Sequence, residues 1–165
     1  MSVRSRRTTP TAARFSGLSP VSSRASSAAR AASKKRDTRC ELLLRRAIWQ
    51  LGLRYRVDVK ALPGRPDIVF RRALVVVFVD GDFWHGRDLA ARLKKLSAGH
   101  NAPYWLAKIR GNVERDRRHD AALRQAGWDV QRFWEGDVVR DAERIAAEVA
   151  AVVAIRSATS ASNAR

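Results

Sequence analysis

The sequence has little cysteine, no acidic residues near its N-terminus and no long apolar run. A single cysteine, Cys40, in 165 residues excludes an internal disulfide framework and a zinc site built from several cysteines. No stretch approaches the roughly 18 apolar residues of a membrane span, and the N-terminus lacks the apolar segment of a secretory signal. Hydrophobic residues make up 45% of the chain, which is enough for a core, so a wholly disordered basic protein is excluded too.

The chain has a large positive charge that is unevenly spread. Lys and Arg number 33 against 16 Asp and Glu, a net charge of +17, which favours a nucleic acid partner ahead of an acidic membrane surface. Nine of the basic residues lie in 1–36, a stretch rich in Ser, Ala and Thr. We predict a disordered basic arm over 1–36, a folded domain over 37–156 and a flexible tail over 157–165. The arm also fits the composition of an organellar transit peptide, although it lacks a clear amphipathic apolar face.

The folded part alternates between helical and strand patterns. Thr38 and Glu41 form a capping-box pattern at the start of the first helix. The element order α-β-β-β-α-β-α indicates an α/β fold with a mixed sheet flanked by helices. Apolar spacing predicts helices over 38–51, 103–126 and 138–155, a short basic helix near 89–96, and strands over 53–59, 68–70, 74–79 and 128–134.

Two aspartates flank a predicted hairpin. Folding 68–79 about residues 71–73 brings Asp67 opposite positions 76–78 and leaves Asp80 at the same end. Two converging carboxylates suit a hard divalent cation such as Mg²⁺, which can activate water and stabilise charge on a phosphate. Aspartates also cap strand ends and turns without binding metal, so the spacing alone leaves both interpretations open.

The residues after the second hairpin strand combine aromatic rings with a histidine. Phe83 and Trp84 follow Asp80 within a loop that contains two glycines, and His85 is next to them. Aromatics in such a loop can stack on bases or wedge between base pairs, or they can be buried in the core. A histidine near a metal can act as the general base on water, or it can be a surface or core residue.

A set of ordered motifs resembles a known enzyme family. PGRPD at 63–67 and VFVDGDFWHG at 77–86 are followed by NAPYW at 101–105, NVERD at 112–116 and WE at 134–135. Over about residues 35–136 the chain resembles the very-short-patch repair (Vsr-type) DNA mismatch endonucleases. The resemblance implies a restriction-endonuclease-like (PD-(D/E)XK-type) mixed sheet flanked by helices. It also implies Mg²⁺-dependent nicking of duplex DNA beside a T:G mismatch left by deamination of 5-methylcytosine.

The resemblance also implies roles for individual residues. Asp67 would be the essential metal-binding carboxylate, and the backbone carbonyl of Val79 would be a second metal ligand. His85 would activate water, and Asp80 takes the place of a second catalytic polar residue. Glu41 would support the site from the first helix, although its capping-box role is a sufficient reason for a glutamate there.

DNA contacts are implied along much of the chain. Phe83 and Trp84 match the family's aromatics that intercalate beside the mismatch, whereas Trp105 and Trp128 are expected in the core. The basic run of the arm would touch the DNA backbone. The full set of implied DNA-binding residues is Phe83, Trp84, Lys34, Lys35, Arg36, Arg65, Asn101, Lys108, Asn112 and Arg115.

The sequence departs from the family at its structural zinc site. Asp82, Arg87 and Gly136 stand where family members carry zinc-site residues, and Cys40 lies elsewhere, in the first helix. Without several thiolates we predict no structural zinc. The alternatives are a divergent Vsr-like nuclease of restriction or defence type without mismatch specificity, and a non-catalytic basic DNA-binding protein.

The partners follow from the implied reaction. Double-stranded DNA is the expected substrate, and mismatch-repair proteins and a cognate cytosine-5 methyltransferase are expected in the same pathway. We expect a monomer without membrane attachment, located in the bacterial cytoplasm with the nucleoid. The joint presence of Asp67, Asp80 and His85 argues against a non-catalytic protein.

Overall fold

Three strands form a mixed sheet between layers of helices. The structure is a computed structural model, and it describes residues 36–82, 87, 94 and 102–162. The elements, in chain order, are helix α1 (Arg39–Gln50), strands β1 (Ile68–Phe70) and β2 (Val75–Asp80), helix α2 (Ala102–Gln125), strand β3 (Asp129–Trp134) and helices α3 (Glu135–Arg140) and α4 (Ala142–Ser162).

The central strand of the sheet is β2. It pairs antiparallel with β1, with Ile68 opposite Val77, and parallel with β3, with Asp80 opposite Trp134. The antiparallel pair is the predicted hairpin. The parallel pair requires a long crossover, which α2 supplies on one face of the sheet.

Each face of the sheet has its own apolar core. One face packs against α1, α3 and α4, and its buried residues include Leu44, Ile48, Ile68, Val77 and Ile145. The opposite face packs against α2 through a smaller cluster of Val69, Val76, Phe78 and Leu123. Because both faces are covered, β2 is a nearly continuous apolar run rather than an alternating one.

The predicted strand over 53–59 is wrong. This segment forms a single antiparallel bridge between Arg56 and Val69 and no further strand pairing. Leu53 and Tyr55 still pack against the core, so the alternating pattern reported burial rather than pairing. Asp58 has φ of 55°, in the left-handed region, which ends the extended run.

The predicted helix over 138–155 is two helices. Asp141 separates them: its N–H closes α3 on the carbonyl of Asp137 (3.0 Å), and its Oδ1 accepts from the N–H of Arg144 (2.9 Å). This side-chain cap starts a new helix and explains the break. Helix α4 then continues through Ser162, so a helix occupies most of the stretch that the sequence predicts to be a flexible tail.

The remaining predicted elements are confirmed within the described residues. The helix over 38–51, the hairpin, the helix over 103–126 and the strand over 128–134 all form within two residues of the expected bounds. Of the predicted helix near 89–96, only Lys94 is described, and it is helical. No helix in the described part of the chain is both long and apolar enough to span a membrane.

Candidate active site

Asp67 is anchored to the end of the central strand. It directly precedes β1, and its N–H donates to the carbonyl of Val77 (3.0 Å), which extends the hairpin by one bond. Its Oδ2 accepts a hydrogen bond from the N–H of Val79 (2.7 Å). The predicted pairing of Asp67 opposite positions 76–78 is therefore confirmed. The carboxylate lies against the backbone of the residue just before Asp80.

The loop before Asp67 is built for close packing. Gly64 has φ of +74°, and a Cβ there would lie 3.0 Å from Nδ1 of His119 on α2 and 3.2 Å from the ring of Phe78. Glycine therefore satisfies both the backbone conformation and the tight fit. This packing fixes the path of the chain into Asp67.

The carboxyl group of Asp67 is in an environment that disfavours its charge. The pKa of Asp67 is raised to about 6, mainly by burial and also by the negative charges of Glu41 and Asp80, against the opposing effects of the hydrogen bond from Val79 and the positive charge of Arg45. Glu41 and Asp80 are thus close enough to Asp67 to interact electrostatically. Three carboxylates from α1, the start of β1 and the end of β2 converge here.

Glu41 combines a helix-capping role with a place beside Asp67. Its Oε1 accepts from the hydroxyl of Thr38 (2.9 Å), and its backbone N–H donates back to that hydroxyl (3.4 Å). Its Oε2 accepts from the N–H of Asp37 (2.9 Å) and from the guanidinium of Arg45 (2.9 Å). Thr38 therefore caps the helix as the capping-box pattern predicts, whereas the Glu41 carboxylate accepts from the N–H of Asp37 instead of that of Thr38. Glu41 is 5% exposed, and Arg45 joins its carboxylate to the backbone of Asp67.

Arg45 ties the first helix to the site, and sequence reasoning missed it. Its side chain is buried and donates to Asp37 Oδ1 (2.6 Å), to Glu41 Oε2 and to the carbonyl of Asp67 (3.3 Å). It therefore offsets part of the negative charge that converges at Asp67. The sequence did contain a signal for this role, because Arg45 is a charged residue directly after Leu44 on the side of α1 that is buried.

Arg132 is the second residue that sequence reasoning missed. From β3 it donates to both carboxylate oxygens of Asp80 (2.7 Å each) and to Asp120 on α2 (3.0 Å). Burial lowers the pKa of its guanidinium, but the hydrogen bonds and charges of Asp80 and Asp120 outweigh burial and raise it. Arg132 also lies 4.3 Å over the ring of Phe78. The sequence signal for this role was that Arg132 takes the next position in the alternating pattern of Trp128 and Val130, where an apolar residue would be expected.

The donor set around Asp67 fits one hard cation. Oδ1 of Asp67 accepts no hydrogen bond from a described residue, whereas both oxygens of Asp80 are engaged by Arg132. Asp67 is therefore the carboxylate that can add a ligand bond without losing an existing one. Carboxylate and backbone carbonyl oxygens with retained waters are what Mg²⁺ prefers. No cluster of three or more His, Cys, Asp or Glu side chains suited to a metal occurs within the described residues.

The expected DNA-binding residues that the structure describes lie on several elements. Arg36 pairs with Asp58 (2.6 Å), Arg65 is exposed, Arg115 lies 4.0 Å from Asp116, and Asn112 is half-buried on α2. Lys108 lies over the rings of Tyr104 and Trp105, at 5.7 and 5.2 Å. Lys34, Lys35, Phe83, Trp84, His85 and Asn101 lie outside the described residues.

An ion-pair cluster occupies the positions at which the resemblance implies zinc-site residues, namely Asp82, Arg87 and Gly136. Arg87 contacts Asp82 and Asp137, and Gly136 is adjacent to Asp82.

Trp105 and Trp128, both expected in the core, are half-buried. Trp128 packs against the cluster beneath α2.

Comparison with known proteins identifies the family. The family profile described as DNA mismatch endonuclease Vsr matches residues 21–91. The type II nicking enzyme V.HpaIIP of Haemophilus parainfluenzae is 39% identical over 120 residues, covering 73% of this chain and 84% of that protein. The type II nicking enzyme V.NmeDIP of Neisseria meningitidis serogroup C is 43% identical over 109 residues, covering 66% and 72%.

A mismatch endonuclease is also among the relatives. DNA mismatch endonuclease Vsr of Escherichia coli (strain K12) is 42% identical over 100 residues, covering 61% of this chain and 62% of that protein. Each of these alignments covers 100 residues or more, so the similarity extends beyond the short motifs. This chain belongs to the Vsr family of DNA mismatch endonucleases and is a DNA endonuclease.

Proposed function

We propose that this endonuclease nicks one strand of duplex DNA beside a T:G mismatch, with Mg²⁺ as its cofactor. The observation that carries the proposal is the Asp67 carboxylate, held by the N–H of Val79 at the end of the central strand. The α/β sheet with a hairpin and a parallel third strand supports assignment to the restriction-endonuclease-like (PD-(D/E)XK-type) fold. Membership of the Vsr family supports the mismatch as the target.

In this proposal Asp67 and the backbone carbonyl of Val79 hold the metal. Mg²⁺, when bound, supplies Lewis-acid stabilisation of charge on the phosphate under attack and lowers the pKa of water. Glu41 and Arg45 keep Asp67 in place, and Arg132 holds Asp80 at the strand end beside it. His85 accepts the proton of the attacking water.

The DNA-binding surface in this proposal combines phosphate contacts with an aromatic wedge. Lys34, Lys35 and Arg36 contact the backbone from the arm. Phe83 and Trp84 insert beside the mismatched pair, which unstacks more easily than a matched one. Phosphate contacts from the loop and α2 then position the duplex, through Arg65, Asn101, Lys108, Asn112 and Arg115.

A second candidate function is strand nicking within a restriction–modification system. Several relatives are described as type II nicking enzymes, V.HpaIIP and V.NmeDIP among them. A cognate cytosine-5 methyltransferase and mismatch-repair proteins are partners in the first candidate, and a methyltransferase encoded beside this gene would favour it over the second. The two candidates differ in substrate, because only the first requires the T:G pair. We propose a monomer that acts on the nucleoid in the bacterial cytoplasm.

The deciding experiment compares nicking of two duplexes that differ only in one base pair. Purified protein with Mg²⁺ is expected to nick a T:G duplex and to leave the matched C:G duplex intact, and EDTA should stop the reaction. Equal nicking of both duplexes would favour the second candidate function. No nicking of either duplex, across several flanking sequences, would contradict both.

The wedge role of Trp84 makes a separate prediction. Trp84→Ala should lower the preference for T:G over matched duplexes by about tenfold or more, because a stacked aromatic contributes about 1–3 kcal/mol. Affinity for matched DNA should change little, because phosphate contacts dominate it. Fluorescence anisotropy with the two duplexes measures both quantities. Arg110→Ala, an exposed position on α2, is the control for general DNA affinity, and equal losses on both duplexes with Trp84→Ala would contradict the wedge.

A further inference from the structure

An arginine joins the two ends of the segment that contains the aromatic pair and the histidine. Asp82 and Arg87 lie on either side of residues 83–86, and the guanidinium of Arg87 contacts Asp82 Oδ1 at 3.2 Å. The same guanidinium contacts Asp137 Oδ1 on α3 at 2.8 Å. We call Asp82, Arg87, Gly136 and Asp137 the Arg87 clasp. It cross-links residues that are 50 positions apart in the chain.

Two further contacts attach the clasp to the end of β3 and the start of α3. The N–H of Asp82 donates to Glu135 Oε1 at 3.3 Å, and Arg87 lies 5.9 Å from the centre of the Trp134 ring. Trp134 ends β3 and Glu135 begins α3. Both ends of the 83–86 segment are therefore attached to the β3–α3 junction, which the parallel pairing of β2 with β3 fixes to the sheet.

Gly136 makes room for this arrangement. A Cβ at position 136 would lie 2.6 Å from Asp82 Oδ2 and 3.4 Å from Nη1 of Arg87. An alanine there would require the end of the Asp82 side chain to move from its present position. Gly136 thus leaves the space that the Asp82 carboxylate occupies beside Arg87.

The ion pairs of the clasp differ from ordinary surface pairs. The side chains of Arg87, Asp82 and Asp137 are 28%, 31% and 24% exposed, so all three are partly shielded from water. One guanidinium serves two carboxylates, which is a network rather than an isolated pair.

We propose that the Arg87 clasp positions residues 83–86 for DNA binding, with Arg87 as the positioning residue. The proposal rests on the proposed function, since that function assigns the wedge to Phe83 and Trp84 and the proton transfer to His85. Arg87 itself need not touch DNA in this role. The ion pairs of Arg87 with Asp82 and Asp137 would then restrain the chain as a cross-link does, and high salt would weaken this restraint.

The test measures backbone hydrogen exchange in peptides covering 83–86, together with nicking. The variants are Arg87→Gln, Arg87→Lys, Gly136→Ala and a control, Arg144→Gln, which removes exposed ion pairs to Asp141 and Glu148 on α4. In Arg87→Gln and Gly136→Ala we expect exchange over 83–86 to be about fivefold faster than in the wild type without DNA. We expect an intermediate rate in Arg87→Lys and no change in Arg144→Gln.

Nicking separates positioning from plain stability. In Arg87→Gln, kcat for nicking of the T:G duplex should fall by a larger factor than KM changes, and the melting temperature should stay the same. Arg87→Lys should have a kcat between those of Arg87→Gln and the wild type. Unchanged exchange over 83–86 in Arg87→Gln would overturn the proposal, and so would faster exchange with wild-type nicking. If the wild type nicks no duplex, the proposed function fails, and the exchange rates alone then decide whether the clasp restrains 83–86.

Discussion

Asp67→Asn is expected to abolish nicking and, at the same time, to stabilise the folded protein at neutral pH. Loss of the carboxylate that we propose as the metal ligand should reduce nicking by about 10³-fold or more, because the metal would contribute several kcal/mol of charge stabilisation. The amide oxygen of Asn can still accept the N–H of Val79, so the hairpin remains intact. A residue that is costly for the fold and needed for the reaction is typical of an active site.

The stabilisation of Asp67→Asn relative to the wild type is expected to depend on pH, because it follows the ionisation of Asp67. The pKa of Asp67 is about 6 in the folded protein, compared with an ordinary value of 3.8. Below about pH 4 the group is protonated in both the folded and unfolded chains, and it costs nothing. Between these values the folded protein holds the proton more strongly, so raising the pH lowers its stability. Above about pH 6 the cost is complete, at about 2 kcal/mol once partial exposure to water is allowed for.

Urea unfolding at several pH values in EDTA measures this effect. The free energy of unfolding of Asp67→Asn should exceed that of the wild type by about 2 kcal/mol at pH 7.5, and the difference should vanish near pH 4. Glu143→Gln, an exposed carboxylate on α4, is the matched control and should show no such difference. A variant less stable than the wild type at pH 7.5 would contradict the expectation.

Magnesium gives the same experiment a second outcome. Adding Mg²⁺ should raise the melting temperature of the wild type, because an ion that binds only the folded protein stabilises it. The increase should be absent in Asp67→Asn. An equal increase in both proteins would place the ion elsewhere.

Arg132→Met is expected to destabilise the protein by about 3 kcal/mol, which is near the lower end for breaking a buried ion pair. The substitution removes the guanidinium that contacts both oxygens of Asp80 and links it to Asp120, while the methionine stem can still pack on Phe78. Asp80 is 6% exposed, so solvation by water cannot readily compensate. Nicking should fall with stability, because the strand end next to Asp67 loses its attachment to β3 and α2.

The double variant Arg132→Met with Asp80→Asn tests whether the lost stability comes from this pair. Its loss should be smaller than the sum of the two single losses by about 1 kcal/mol or more. Arg144→Met, which removes an exposed pair with Glu148, should cost under about 0.5 kcal/mol in the same assay. A loss below about 1 kcal/mol in Arg132→Met would show that Asp80 does not depend on it.

The parts of the fold with local signals could be predicted from the sequence. The capping box at Thr38 and Glu41, and the turn between two apolar runs, each use contacts between neighbours in the chain. The strand over 53–59 could not be predicted correctly, because its alternation arises from packing of Leu53 and Tyr55 on the core. Whether an extended segment pairs depends on the neighbouring edge, and β1 is three residues long.

The site shows the same division. The approach of Asp67 to the end of β2 follows from hairpin register, so it could be predicted. The roles of Arg45 and Arg132 depend on contacts across 22 and 52 positions, for which the sequence has no local pattern. Arg45 is buried and Arg132 is partly buried, each among apolar residues, and a charge at such a position indicates that a partner exists but not which residue it is.

The parallel pairing of β2 with β3 also determines the order in which the site can be completed. During synthesis the β1–β2 hairpin, with Asp67 and Asp80 at its end, leaves the ribosome before β3 does. Arg132 is made 52 residues after Asp80, and it reaches Asp80 only once α2 has folded over the sheet. Asp80 therefore lacks the counter-charge of Arg132 until the chain has been made as far as β3.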